Sequence, residues 1–225
     1  MLPKQENYQL ARQLALENLR QADLRERAAC GGGIYRSEAE GGERVEIKYL
    51  GRDLFLSFPG GTIEATSGSP LSLREEIFLF HYLEMASGSP LTGEWISFAE
   101  IAGGAFYQPV FAQRCQSALA KFLGQDPEEI RSLAGEWQGE NLSLGDVGIR
   151  VPVLPRLPLG LVLWRGDAEF PAEGKVLFDS SVSRYLPVED IVVLAETVVW
   201  KLIKRKNTDT PQRAQSTQST QRKEL

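Results

Sequence analysis

One apolar run stands out along the chain and predicts a central strand. The segment Leu159 to Trp164 contains no alternating polar position, which is the pattern of a strand covered on both faces. A second short apolar run, Val176 to Phe178, follows an acidic, turn-rich stretch and ends at Asp179. We expect both runs to be strands, and we expect the chain to be organised around them because no other region combines so many signals.

Strict alternation predicts a hairpin earlier in the chain. Val45, Ile47 and Tyr49 alternate with charged residues, and the apolar run Leu54 to Phe58 follows after a turn at Gly51. This is the pattern of two paired strands joined by a short turn.

Helical spacing accounts for most of the remaining apolar residues. Residues 3–27 predict one amphipathic helix or a pair, with Leu10, Leu14, Ala11 and Ala15 in the apolar stripe. The other predicted helices are one from the capping box Ser72/Glu75 to Gly88, one from Val110 to Leu123 opened by Pro109, and a last helix opened by Pro187 with the stripe Ile191, Leu194, Val198 and Leu202. We therefore predict an α+β fold with helices packed on a mostly antiparallel sheet. Residues 1–206 form a single globular domain in this prediction, and the polar stretch 207–225 is a disordered tail.

Composition and charge exclude several classes of protein. The chain has 225 residues, of which 42% are hydrophobic and 24% charged, as in an ordinary soluble globular protein. The formal net charge of −5 disfavours binding to nucleic acid, which requires clustered Lys and Arg to neutralise phosphates. The sequence shows neither a secretory leader nor a membrane span, so we expect a cytoplasmic protein with no membrane and no nucleic-acid partner.

The basic run Lys201 to Lys206 admits two interpretations. Cations in the last turn of a helix complement the negative end of its dipole, and this is the interpretation we favour. The alternative is a patch that binds phosphate or a membrane surface.

The chain has few residues for nucleophilic or metal chemistry. Cys30 and Cys115 lack the spacing of a disulfide framework or a metal site, and we expect both to be reduced thiols. His81, the one histidine of the chain, could be a general base or a ligand, but a half-buried histidine bonded to the backbone is the simpler interpretation. Trp95 could line a pocket or anchor its loop, and with His81 and Arg165 it forms our candidate pocket.

The acids around the second apolar run form our candidate acidic site. Asp167 and Glu169 project from one face if the backbone stays extended, and Asp179 could join them at one edge of the sheet. Such a group of carboxylates suits a divalent cation or acid–base catalysis. The simpler interpretation is that these acids cap turns or pair with a base such as Arg165.

Two longer strings carry a family resemblance, PLTGEWISFAEIAGGAFYQPVF from Pro90 and DAEFPAEGKVLFDSSVSRYLP from Asp167, supported by the hairpin YLGRDLFLSFPGG. On these strings the chain resembles the prokaryotic domain-of-unknown-function family numbered thirty-seven eighty-six, which is common in anaerobes. Some relatives look to be joined to iron–sulfur domains of the kind found in corrinoid and one-carbon metabolism. This chain lacks the cysteines for a cluster, so the resemblance implies that any such link runs through a separate iron–sulfur or corrinoid partner protein.

Three function classes follow from these observations. The first is a small-molecule or cofactor-binding accessory protein with a pocket near the acidic edge, its cofactor unspecified. The second is a divalent-metal-dependent enzyme that uses Asp167, Glu169 and Asp179, or His81. The third is a purely structural interaction module. The absence of a nucleophile motif such as GxSxG favours the first class.

Overall fold

The computed structural model describes the backbone of residues 5–38 and 41–221 and the side chains of residues 7–38 and 41–208. The helices are α1 (Gln5–Gln21), α2 (Leu24–Cys30), α3 (Leu73–Met85), α4 (Gly104–Phe111), α5 (Ser117–Leu123), α6 (Glu129–Gly135) and α7 (Val188–Gln221). The strands are β1 (Ile34–Ser37), β2 (Glu43–Tyr49), β3 (Arg52–Phe58), β4 (Thr62–Ala65), β5 (Trp95–Ser97), β6 (Glu140–Asn141), β7 (Val147–Leu154), β8 (Leu157–Trp164) and β9 (Glu173–Asp179). This is an α+β fold, as the sequence predicts.

The first sheet contains the predicted hairpin. Its strands have the order β1-β2-β3-β4, and every neighbouring pair is antiparallel. Tyr49 pairs with Arg52, so only Leu50 and Gly51 form the turn, and both have positive φ angles of 48° and 77°. Leucine rarely adopts this conformation, which normally favours Asn or Gly in a two-residue turn. Leu50 is nevertheless 6% exposed, and we infer that its burial offsets the strain.

The second sheet has β8 at its centre, in the order β5-β9-β8-β7-β6. All residues of β8 are buried except Trp164, which confirms the prediction of a strand covered on both faces. β9 runs antiparallel to β8, with Glu173 opposite Trp164 and Phe178 opposite Leu159. The two ends of β9, an interior strand, therefore lie at opposite ends of the sheet along the strand direction, and this separates the acidic residues.

The helices cover the sheets and share one apolar core with them. Ser72 and Glu75 form the predicted capping box at the start of α3. Along α7 the predicted stripe is fully buried, which explains why its many β-branched residues form a helix: Ile191, Leu194, Val198 and Leu202. Among the described residues, no helix is long and apolar enough to cross a membrane.

The α7 helix continues to Gln221, beyond the point where the sequence suggests that it ends. The basic run from Lys201 consequently lies inside the helix, and the last turn holds no basic residue. A favourable interaction with the helix dipole falls off beyond the last turn, so it does not explain these cations. The disordered tail at 207–225 stays a prediction, because side chains from 209 onward and the backbone of 222–225 lie outside the described residues.

The helix expected to begin at Pro109 instead begins at Gly104. Pro109 lies inside α4 and cannot donate a backbone hydrogen bond to the preceding turn. The helical path continues through a π-helical segment, Ala112–Gln116, into α5. The sequence rule placed the proline at the first turn, but the pair Gly103–Gly104 provides the actual start.

Candidate functional site

Asp167 shapes a tight turn between β8 and β9. Its Oδ1 accepts hydrogen bonds from the backbone N–H groups of Glu169 at 2.8 Å and Phe170 at 2.7 Å. These two bonds, that of Phe170 first, lower the pKa of Asp167. The carboxylate is thus engaged by its own loop, which is the turn-capping arrangement that the sequence offers as the simpler interpretation.

Asp179 lies at the other end of β9 and holds two loops together. It is 3% exposed and accepts hydrogen bonds from the backbone and hydroxyl of Thr92, the backbone of Gly93, and the backbone and hydroxyl of Ser181, at 2.7 to 3.1 Å. Burial would raise the pKa of Asp179, but these bonds outweigh burial and lower it. The length of β9, about 20 Å at 3.3 Å per residue, separates Asp179 from the Asp167 turn.

The structure therefore does not bring the three candidate acids together. Among the described residues, no group of three or more His, Cys, Asp and Glu side chains could hold a metal ion. Both cysteines are free, and burial raises the pKa of the Cys115 thiol to about 12, which keeps it protonated. Catalytic or metal-binding roles for Asp167, Glu169 and Asp179 stay predictions.

The candidate pocket residues also lie apart from one another. Trp95 is half-buried on β5 and packs over Gly160 of β8, where a Cβ atom would lie 3.3 Å from the indole ring. Arg165 follows β8 and forms an exposed ion pair with Glu128 at 3.1 Å. His81 lies on α3 and pairs with α7.

His81 has an acidic partner that the sequence does not reveal. Its Nδ1 bonds to the carboxylate of Asp190 in the first turn of α7, and the two side chains are 28% and 11% exposed. This hydrogen bond raises the pKa of His81, burial opposes the increase, and the charges of Asp190 and Glu84 add to it. The pair therefore joins the two helices.

We expect this pair to make stability depend on pH. Because the pKa of His81 is raised in the folded chain, its contribution is complete below the ordinary value of 6.5 and is lost as the pH rises through the folded value. His81→Gln should lower the free energy of unfolding by about 1.5–3 kcal/mol near pH 6 and by less near pH 9. Urea unfolding of both proteins at the two pH values measures this. A difference that grows with pH would contradict the assigned pair.

Two cavities lie away from these residues. A cavity of about 570 Å³ adjoins the segment after the acidic turn, and is lined by Ala112, Gln116, Ser117, Ala120, Lys121, Gln125 and residues 171–174. A second cavity of about 510 Å³ lies between the first sheet and the β7–β8 hairpin, with apolar walls that include Ile34, Phe55, Leu154 and Pro155. A pocket thus occurs beside the segment that follows the Asp167 turn, but none of the three acids lines it.

A third cavity, which we call the basic cavity, is lined by more charged side chains than either of the other two. It has a volume of about 550 Å³ and lies between the β2–β3 turn, the loop before α3, and α7. Four cations line it, namely Arg52, Lys201, Lys204 and Arg205, together with two carboxylates, Glu75 and Glu136. In a chain with net charge −5, this cavity is a local concentration of positive charge.

The two arginines are held in fixed positions. Arg52 donates from Nη1 to the carbonyl oxygens of Ser67 at 2.8 Å and Ser69 at 2.9 Å, and its guanidinium lies over the Tyr49 ring. Gly68 permits this approach, because a Cβ atom there would lie 2.8 Å from Arg52 Nη1. Arg205 pairs with Glu136 at 2.7 Å and lies over the Trp137 ring.

Glu75 is a buried anion that organises the floor of the cavity. It is 4% exposed and contacts Tyr49 Oη at 2.8 Å, Ser72 N at 2.9 Å and Lys201 Nζ at 2.9 Å. Burial would raise the pKa of Glu75, but the bonds from Ser72 and Lys201 outweigh it and lower the pKa. Glu75 is therefore ionised at neutral pH and fixes Lys201.

Lys204 differs from the other cations of the cavity. Lys204 is exposed, and its side chain forms no ion pair among the described residues. Arg205 Nε, in contrast, is buried without a hydrogen-bond partner within the described part of the chain. Because this donor is buried, the free charge that the cavity offers to a ligand is that of Lys204.

Sequence reasoning missed this site for an identifiable reason. The run from Lys201 was visible, but Arg52 lies about 150 residues earlier and only folding brings them to one cavity. The feature of the sequence that could have indicated the basic cavity is the basic run itself, in its alternative interpretation as a phosphate-binding patch.

Fold and site together define an α+β protein with antiparallel sheets and a basic cavity. The chain belongs to the family described as Domain of unknown function (DUF3786), whose model matches residues 23–201. This confirms the family expected from the two motif strings. Arg52, Glu75 and Lys201 lie within the matched residues, whereas Lys204 and Arg205 follow them. No curated protein and no solved structure matches the chain.

Proposed function

We propose that the protein is a binding protein for a small anionic molecule, which occupies the basic cavity. The observation that carries this proposal is the presence of four cations and only two carboxylates around one cavity of about 550 Å³. Volumes of roughly 300–1,000 Å³ are typical of small-molecule sites. Trp137, Leu50 and Leu71 supply apolar wall beside the charges, as ligand sites usually have.

The cations of the basic cavity are preorganised. This favours a ligand-binding site over the alternative that the cavity is only a surface with unrelated charges. Arg52 and Arg205 each lie over an aromatic ring, and each bonds to protein oxygens that restrict it. Ordering flexible side chains costs free energy on binding, so cations that are already ordered favour affinity.

An accessory role in anaerobic metabolism is the broader part of the proposal. What supports it is the family resemblance alone, in which some relatives look to be joined to iron–sulfur domains of the kind found in corrinoid and one-carbon metabolism. In this role the chain would bind its small molecule and act with a separate iron–sulfur or corrinoid protein.

Calorimetric titration at low ionic strength tests anion binding, with inorganic phosphate, sulfate and acetate as probes. We expect heat of binding for at least one anion, and Lys204→Gln should weaken it about five-fold, since a charge 4 Å away contributes about 1 kcal/mol in water. Lys204 makes no ion pair in the described chain, so its replacement should leave the fold intact.

Lys121→Gln is the matched control, because it removes the same charge from a different cavity. It should leave the affinity unchanged. Absence of heat for every anion would contradict the proposal. Equal weakening by both substitutions would show that the anions respond only to net charge.

A further inference from the structure

The charges around the basic cavity define how much negative charge it can hold. Arg52, Lys201, Lys204 and Arg205 contribute four positive charges, and Glu75 and Glu136 remove two. Two positive charges are left for a ligand. We propose that the ligand carries a compact doubly negative group of the phosphate type, a proposal that rests on the anion-binding function above.

The donors of the cavity suit a tetrahedral oxyanion. Arginine presents N–H groups in a planar fork that matches phosphate oxygens, and both arginines use only part of this fork on protein groups. The N–H groups that these contacts leave over are the donors available to a phosphate.

The loop before α3 adds hydroxyl donors to these cations. Ser67 and Ser69 line the cavity, and neither hydroxyl has a hydrogen bond within the part of the chain that the structure describes. Their carbonyl oxygens hold Arg52, so the loop and the arginine are fixed as one unit. Hydroxyl and guanidinium donors together are typical of phosphate recognition.

The buried carboxylate sets the charge of the site. Glu75 neutralises Lys201 and holds it at 2.9 Å, so this cation positions the cavity wall and contributes little net charge. Glu136 is 75% exposed at the rim and partly neutralises Arg205. The remaining excess of two charges is enough for one dianion, and the overall charge of −5 repels an extended polyanion.

The test compares dianions with monoanions by calorimetric titration of the full chain at about pH 8, where phosphate is mostly doubly charged. We expect inorganic phosphate and sulfate to bind at least about ten-fold more tightly than acetate and formate, because each unit of ligand charge interacts with the same excess of cations. Glycerol 3-phosphate, titrated in parallel, distinguishes an esterified from a free phosphate as the better ligand.

A second arm uses the titration of phosphate itself. Lowering the pH from about 8 to about 5.5 protonates phosphate to the monoanion, whereas sulfate stays a dianion. The affinity for phosphate should fall several-fold while that for sulfate stays constant. The cavity contains no histidine, since the one histidine of the chain is His81 on the His81–Asp190 pair. The charged groups that face the ligand are those of Arg52, Glu75, Glu136, Lys201, Lys204 and Arg205.

The outcomes separate this inference from the function on which it rests. Equal affinity for monoanions and dianions, or a fall in sulfate affinity that matches that of phosphate, would overturn the dianion and leave anion binding standing. No binding of any anion, or binding that Lys204→Gln leaves unchanged, would overturn both.

Discussion

Gly104→Ala is expected to lower the free energy of unfolding by about 3–5 kcal/mol, among the largest effects of any single substitution. A Cβ atom at this position would lie 1.9 Å from the carbonyl oxygen of Phe98, and backbone cannot move aside as a flexible side chain can. Phe98 is itself fixed, because it is fully buried and stacks on Phe111 with ring centroids 4.2 Å apart. Relief of the clash must therefore disturb the core.

Urea unfolding of the variant and the parent protein measures this effect, and Gly135→Ala provides the control. Gly135 ends α6, and apart from its chain neighbours and the backbone of its own helix no heavy atom of the described residues lies within 4 Å of the position that a Cβ atom would occupy there. Alanine should therefore fit and stabilise the helix by up to about 1 kcal/mol. Equal stability of Gly104→Ala and the parent would contradict the close approach of the two segments.

The sequence predicts an element correctly where its pattern of apolar and polar residues fits only one environment in the fold. The run in β8 has no polar position to face water, so its central place follows directly. The hairpin of β2 and β3 follows from alternation, because a shift of one residue would expose Val45 and Ile47, which are buried.

Where the pattern of apolar residues fits more than one buried face of a helix, the sequence does not predict which face packs against the core. The helical spacing of Leu10 and Leu14 predicts that they belong to the apolar stripe of the first helix, but they are 57% and 56% exposed. Of the predicted stripe Ala15 is buried, and the leucines that lie beside it in the core are Leu16 and Leu19. The apolar residues of α1 extend around much of its surface, and only its packing against α3 selects the buried side.

The sequence likewise does not decide the role of the side chains in the candidate sites. A carboxylate beside glycine and proline can cap a turn or bind a ligand, and the local sequence is the same in both cases. The hydrogen bonds that Asp167 accepts from its own loop depend on the path of the backbone, which the local sequence does not specify. For Glu75 the sequence gives the capping box with Ser72, but Tyr49 and Lys201 reach it from distant parts of the chain.

Glu75→Ala is expected to lower the free energy of unfolding by about 3–5 kcal/mol at neutral pH, the usual effect of removing one partner of a buried ion pair. The substitution leaves the hydroxyl of Tyr49, which is fully buried, without its acceptor. It also removes the charge that Lys201 faces and half of the capping box of α3. Glu140→Ala is the control, because Glu140 is 66% exposed in its pair with Arg150 and such pairs contribute about 0–1 kcal/mol.

The effect of Glu75→Ala should also depend on pH in a defined direction. The pKa of Glu75 is lowered in the folded chain from its ordinary value of 4.5, so its stabilisation is fully present above that value and is lost as the pH falls through the folded pKa. Urea unfolding at about pH 7 and about pH 3 should therefore give a smaller difference between parent and variant in acid. A difference that stays constant would mean that folding does not shift the pKa of Glu75, and it would contradict the stabilisation of the ionised carboxylate by Ser72 and Lys201.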